Sequence, residues 1–160
     1  MSNDLDSLDR RIVCMLQQDG RASNVDMARA LGVSEATVRK RLERLLADRV
    51  ICVTAVPDAT KVGFPTIAFV MLSVELAQVG QIAEQISRLP EVRASYLTTG
   101  GSELIVEAWF TSSDDVLRFM TQRIGCIPGI RRTGMFHVLR TIKDGSRWIL
   151  PAMPAPAIGA

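Results

Sequence analysis

The chain has 160 residues, 48% of them hydrophobic and 22% charged, with a formal net charge of +2. That length admits one ordinary domain or two small ones, and the composition supports packed cores rather than a disordered polymer. The near-neutral balance excludes an argument for nucleic-acid binding from total charge, so any basic surface has to be local.

Leu5, Leu8, Ile12 and Leu16 recur at helical spacing, with Asp6 and Asp9 as a capping pair and Gly20 as a stop. They predict a first helix over about Ser7 to Gln18. A second follows from about Asn24 to Leu31, with Asn24 as cap, Val25, Ala28 and Leu31 on one face and Gly32 as breaker. Ser34 caps a third helix, whose apolar face is Val38, Leu42, Leu45 and Leu46 and which ends near Asp48. Val50 to Pro57 is β-branched and apolar and reads as a short strand. Pro57, Asp58, Gly63 and Pro65 then mark a linker.

The second half alternates between strand and helix patterns. Strands are expected at Thr66 to Glu75, Val92 to Thr99, Glu103 to Phe110 and Ile130 to Lys143. Helices are expected at Val79 to Leu89 and Ser113 to Ile127. The apolar face of one is Val79, Ile82, Ala83, Ile86 and Leu89; that of the other is Val116, Met120, Ile124 and Ile127. The order βαββαβ is that of a ferredoxin-like sandwich with both helices on one sheet face. The fold class is therefore α+β: a winged-helix-like helix-turn-helix domain at 1–50, a strand and linker at 51–65, and a ferredoxin-like domain at 66–150. The Pro-rich stretch 151–160 reads as a flexible tail.

Ala28, Gly32 and Val38 carry the helix-turn-helix reading. Two helices that approach closely need a small residue, then a glycine for the turn, then a branched apolar residue that locks the second helix. A plain three-helix bundle shares part of that pattern. The third helix separates the two, because its inward residues turn Ala36, Thr37, Lys40, Glu43 and Arg44 outward, with Arg39 and Arg41 on the flanks. From Ser34 to Arg49 five basic residues stand against three acidic ones, a local net of +2. Ser34, Ala36, Thr37, Arg39, Lys40, Arg41, Glu43 and Arg44 are the expected DNA-binding set, with arginines on phosphates and outward residues on base edges in a major groove.

Strand Thr66 to Glu75 is apolar on both faces: Ala68, Val70, Leu72 and Val74 on one, Ile67, Phe69 and Met71 on the other. Helices on one side leave the second face to be covered, and a second subunit is the simplest cover. A dimer would set two recognition helices about one turn of duplex, ~34 Å, apart on a roughly palindromic promoter site.

The strings Leu5-Asp6-x-x-Asp9-x-x-Ile12, Leu16-Gln17-x-Asp19-Gly20-Arg21, Leu31-Gly32-Val33-Ser34 and Val38-x-x-Arg41-Leu42-x-x-Leu45 resemble the leucine-responsive/asparagine-operon (Lrp/AsnC) regulators. The likeness runs from Leu5 to about Leu150. It implies dimers that assemble into tetramers or octamers, and DNA binding tuned by a small-molecule effector, usually an amino acid held between C-terminal domains. It also implies that the loop Thr98, Thr99, Gly100, Gly101, Ser102 and Glu103 carries part of the effector site. The chemistry agrees: glycines let backbone amides approach a carboxylate, hydroxyls add hydrogen bonds, and Glu103 suits an ammonium. A plain glycine-rich hairpin turn is the competing reading. The family usually has an acidic residue after the first glycine, where this chain has Gly101.

His137, the single histidine, shares a strand face with Thr133, Met135 and Leu139 and is assigned to the same cleft. One histidine builds no convincing nucleophilic triad, and phosphate loops and metal-ligand spacings are absent, so no catalytic residue, metal or cofactor is expected. The chain also resembles sirohaem decarboxylases in domain order, for which His137 with Arg131 or Arg132 would be the basis. A ligand-independent architectural DNA-binding protein is a further alternative. Cys14, Cys52 and Cys126 are odd in number, far apart and without a CxxC pair. They fit free thiols in a reducing cytoplasm. Neither a signal peptide nor an apolar run near the ~20 residues of a membrane span is present, so a cytoplasmic protein without a membrane partner is expected.

Overall fold

The structure, a computed structural model, describes residues 5–143, 145 and 148–151. The expected tail lies outside them except for Pro151. The chain divides into two compact units: the chain up to Val56 together with that from Lys143, and Pro57–Ile142.

In the first unit three helices form as their caps dictate: α1 (Ser7–Gln18), α2 (Asn24–Leu31) and α3 (Glu35–Ala47). Asp6 accepts the Asp9 backbone N–H at 2.8 Å while the Asp9 carboxylate accepts that of Asp6 at 3.3 Å, a reciprocal capping box. The cap of α2 is Ser23, and Asn24 is already helical. Its buried face is Met27, Ala28 and Leu31, whereas Val25 is half exposed, because the packed stripe of this short helix runs through positions 27, 28 and 31. Gly32 has φ +71°, the left-handed conformation in which its N–H reaches the Ala28 carbonyl and the chain turns into α3. Val38 is fully buried beneath that turn and Ala28 nearly so.

At the far end of α3, Arg49 donates to the Leu46 carbonyl at 3.1 Å and Val50 to that of Leu45 at 2.9 Å. This is a Schellman closure with an arginine at φ +54° where glycine is usual. The C-terminal segment joins this unit. The Gln17 side-chain amide donates to the Trp148 carbonyl at 3.1 Å and accepts the Leu150 N–H at 2.8 Å, and Leu150 packs against the three-helix core. Val50 to Pro57 forms no strand, contrary to expectation. Its β-branched residues have the propensity, but among the described residues no strand pairs with it.

In the second unit four antiparallel strands lie in the order β2-β3-β1-β4: β1 (Thr66–Val74), β2 (Val92–Leu97), β3 (Leu104–Phe110) and β4 (Ile130–His137). This is the ferredoxin-like arrangement. β4 stops at His137 rather than Lys143, because β1, its pairing partner among the described residues, begins at Thr66 just after Pro65; the final hydrogen bond runs from Val138 to the Ile67 carbonyl at 2.9 Å. Ala68, Val70, Leu72 and Val74 of β1 and Leu104, Val106, Ala108 and Phe110 of β3 are buried beneath the helices. A 3-10 turn (Leu76–Gln78) leads into α4 (Val79–Ser87), which buries Ile82 and Ile86.

The last helix is α only over α5 (Ser113–Arg118) and continues as a π turn, Phe119–Ile124. One extra residue per turn brings Phe119 and Ile124, five apart, onto the same core face. Phe119 was not on the expected face, yet it is buried and meets Phe110 edge-on at 5.2 Å between ring centroids.

Candidate nucleic-acid interface and effector site

The Ser34 hydroxyl caps α3 by accepting the Thr37 N–H at 3.1 Å and lies 2.8 Å from the Thr37 hydroxyl, so both expected contact residues also hold the helix start. Ala36, Arg39, Lys40, Glu43 and Arg44 are exposed along one side of α3. Its arginines are not free. Arg39 pairs with Glu35 on the same helix. Arg41 pairs with Asp6 and reaches Asp9 at 3.3 Å, and Arg44 pairs with Asp9. Among the described residues, Lys40 is the basic side chain of α3 without a carboxylate partner.

Asp9 is the one charged residue of this set that is fully buried, its side chain 1% exposed. A buried carboxylate is tolerated only with charged donors around it, and two guanidiniums plus a backbone N–H supply them. The result ties the start of α1 to the middle of α3 and fixes α3 on its scaffold. Sequence reasoning found Asp9 as a capping residue but missed this role, because partners 32 and 35 positions away carry no local signature. The Asp9 N–H and, after it, the Arg41 guanidinium hold the Asp6 carboxyl below its ordinary range.

In the second unit, the loop of residues 98–103 joins β2 to β3 beside the end of β1 and the start of β4. Thr98 N–H donates to the Glu103 carbonyl at 2.9 Å, and the Thr98 hydroxyl donates to the Ser102 carbonyl at 2.7 Å. Gly100 has φ +123°, which a side chain would strain. Glu103 accepts the Val74 N–H at 2.8 Å. That bond, aided by the Ser73 side chain and by Arg131, keeps its carboxyl below its ordinary range. Arg132, opposite Ser73 across the strand pair, approaches the Gly101 carbonyl at 3.5 Å.

His137 stands opposite Ala68 at the other end of β4, exposed, on the sheet face shared with Met135 and Thr133. The register places it five pairings along β4 from Arg132, so the structure does not bring it to the loop. A cavity of about 510 Å³ lies elsewhere in this unit, lined by Phe64, Glu91, Phe110, Phe119 and Arg123 among others; it shares no residue with the loop. Among the described residues no three His, Cys, Asp or Glu side chains gather as metal ligands, and no helix is long and apolar enough to cross a membrane.

The sheet face away from the helices carries Ile67, Phe69, Met71, Ile105, Trp109 and Phe136. Phe69 and Phe136 lie side by side on paired strands and are 36% and 62% exposed.

A helix-turn-helix with an exposed second helix, followed by a ferredoxin-like α+β domain, is the architecture of a DNA-binding transcriptional regulator. The profile of the AsnC-type helix-turn-helix domain matches residues 5–46, and that of the Lrp/AsnC ligand binding domain matches residues 67–148. The chain belongs to the Lrp/AsnC family. An HTH-type transcriptional regulator of Pyrococcus abyssi is 35% identical over 130 residues, 81% of this chain and 82% of that one. The HTH-type transcriptional regulator FL11 of Pyrococcus horikoshii is 30% identical over 141 residues, 88% of this chain and 93% of that one. Among solved structures, the leucine response regulatory protein of Mycobacterium tuberculosis superposes with a TM-score of 0.81 at 26% identity, covering 92% of this chain and all of that one. A transcriptional regulator of Neisseria meningitidis, crystallised as its L-Met complex, shares the fold with a TM-score of 0.83 at 24% identity, covering 92% of this chain and 97% of that one.

Proposed function

We propose that this chain is a sequence-specific regulator, and not an enzyme, that binds promoter DNA as a homodimer in the cytoplasm and senses an amino acid or a related metabolite through its C-terminal domain. The observation that carries the reading is the solvent face of α3. Lys40 is exposed there without a carboxylate partner, between exposed Ala36 and Glu43, on a helix held in place by Asp9. A lysine so placed suits a phosphate or a guanine edge, Ala36 a thymine methyl and Glu43 a cytosine amine. Ser34, Thr37, Arg39, Arg41 and Arg44 flank these contacts. Exposed Phe69 and Phe136 support pairing of two sheets into a dimer, and exposed Leu76, Tyr96 and Leu97 offer apolar surface for tetramers or octamers. An effector at residues 98–103 would act by binding one assembly state better than another, which is the only way a ligand shifts such an equilibrium.

Fluorescence anisotropy on a selected DNA site tests this with Lys40→Ala. A base contact should cost about 1–3 kcal/mol and relax preference at one position, whereas a phosphate contact should weaken all sequences alike and lower the salt slope by about one. Unchanged binding would remove α3 from the groove. Binding indifferent to sequence in the parent protein would favour the architectural alternative.

A further inference from the structure

The first unit is assembled from two separate stretches of chain: the helices up to Val56, and the segment that returns after Lys143. The returning segment is held through polar and apolar groups at once. The Gln17 side-chain amide donates to the Trp148 carbonyl at 3.1 Å, and its oxygen accepts the Leu150 N–H at 2.8 Å. The Cys14 thiol donates to the Leu150 carbonyl at 3.6 Å. Cys14 and Gln17 are three residues apart and so share one face of α1. The Leu150 side chain packs against the core formed by Ile12, Val13, Met27 and Val38. One face of α1 thus offers a donor, an acceptor, a thiol and an apolar seat to residues 148–150.

The chain therefore enters the DNA-binding unit by two routes. One is the stretch of residues 51–56. The other leaves β4 at His137 and ends in the contacts of Trp148 and Leu150 with α1. The ligand binding domain profile runs to residue 148, the residue whose carbonyl Gln17 holds. A body tethered at one point turns freely about its linker, whereas a second tether removes part of that rotation. In a dimer, that freedom sets the effective concentration of the second α3 at its half-site once the first is bound. We propose that residues 148–150 are a strap that restricts the helix-turn-helix on its linker and so couples the two half-sites of the DNA target. Release of the strap weakens binding to the paired site and leaves each half-site contact as it was. This rests on the reading of α3 as the DNA-contacting helix of a dimer.

The test uses the full chain with Leu150→Asp, which expels the apolar anchor, and with Gln17→Ala, which removes both amide bonds and leaves the core intact. Cys14 reports the seating of the strap, because it is half-buried beneath Leu150 while Cys52 and Cys126 are exposed. Iodoacetamide labelling, read for each cysteine by mass spectrometry, should show Cys14 reacting about ten-fold or more faster in Leu150→Asp than in the parent, with Cys52 and Cys126 unchanged. Fluorescence anisotropy then compares a duplex carrying one half-site with one carrying the inverted repeat. Leu150→Asp should bind the half-site within about two-fold of the parent and the repeat about ten-fold or more weakly, with Gln17→Ala between them. Equal losses on both duplexes in both variants would reduce the segment to a stabiliser of the fold and overturn the proposal. So would an unchanged affinity for the repeat, or a parent Cys14 that labels as fast as Cys52. A parent that binds the repeat no more tightly than the half-site would overturn the dimer reading, and the strap with it.

Discussion

Replacing Asp9 by asparagine removes one charge at the point where α1 and α3 meet and changes almost no volume. Breaking a fully buried ion pair costs about 3–5 kcal/mol, and a hydrogen bond to a charged group contributes about 1.5–3 kcal/mol. The Asp9 side chain is 1% exposed, but Arg41 and Arg44 are 31% and 47% exposed and can recover water once the carboxylate is gone. The amide also retains an acceptor for the Asp6 N–H. These offsets reduce the expected loss to about 2 kcal/mol, which in a unit of this size lowers the melting point by roughly 10 °C. Differential scanning calorimetry of the full chain should show that shift confined to the first unit. An Asp9→Asn, Arg44→Gln double-mutant cycle should show coupling above about 1 kcal/mol. A loss below about 0.5 kcal/mol, or additive single mutants, would refute the claim that Asp9 anchors α3.

Phe136→Asp places a charge beside Phe69 on the open sheet face. If that face is the dimer interface, sedimentation should show a dissociation constant raised about 30-fold or more, as for a central interface residue. Arg49→Gly should stabilise the first unit by about 0.5–1 kcal/mol in urea denaturation, because glycine relieves the left-handed strain at the end of α3 but loosens the unfolded chain. Acid should weaken the same unit through Asp6. Its folded pKa lies below the unfolded value, so its contribution is complete above the ordinary aspartate range and is lost as pH falls through the lower folded value. Melting points measured from about pH 5 to pH 2 should therefore fall less steeply in Asp6→Asn than in the parent.

Much of this architecture was legible because local rules govern it. The capping pair Asp6 and Asp9, the glycine turn at Gly32 and the assignment of Ala68, Val70, Leu72 and Val74 to one face of β1 each rest on a few residues, and the structure shows all three. Features that depend on distant partners were not legible. The bond of Asp9 to Arg41 and Arg44, the bracket of Gln17 on Trp148 and Leu150, and the engagement of Glu103 by Val74 all join segments remote in sequence. Two local misreadings had physical causes as well. The π turn shifted the helical phase and hid Phe119, and Val50 to Pro57 had strand propensity without a partner strand. For the candidate sites, the positions on α3 were readable from the helical wheel. Which of its cations is unpaired required the fold.

The measurement that bears most directly on the account is selection of duplex DNA from a random pool by the full-length protein, with the enriched sequences read out and their affinities compared. A sequence-specific dimer should enrich an inverted repeat whose half-sites are centred about one helical turn apart, or a multiple of it, and bind it about a thousand-fold or more tightly than random DNA at the same salt. Enrichment of no motif, with affinity that follows salt alone, would contradict sequence-specific recognition by α3.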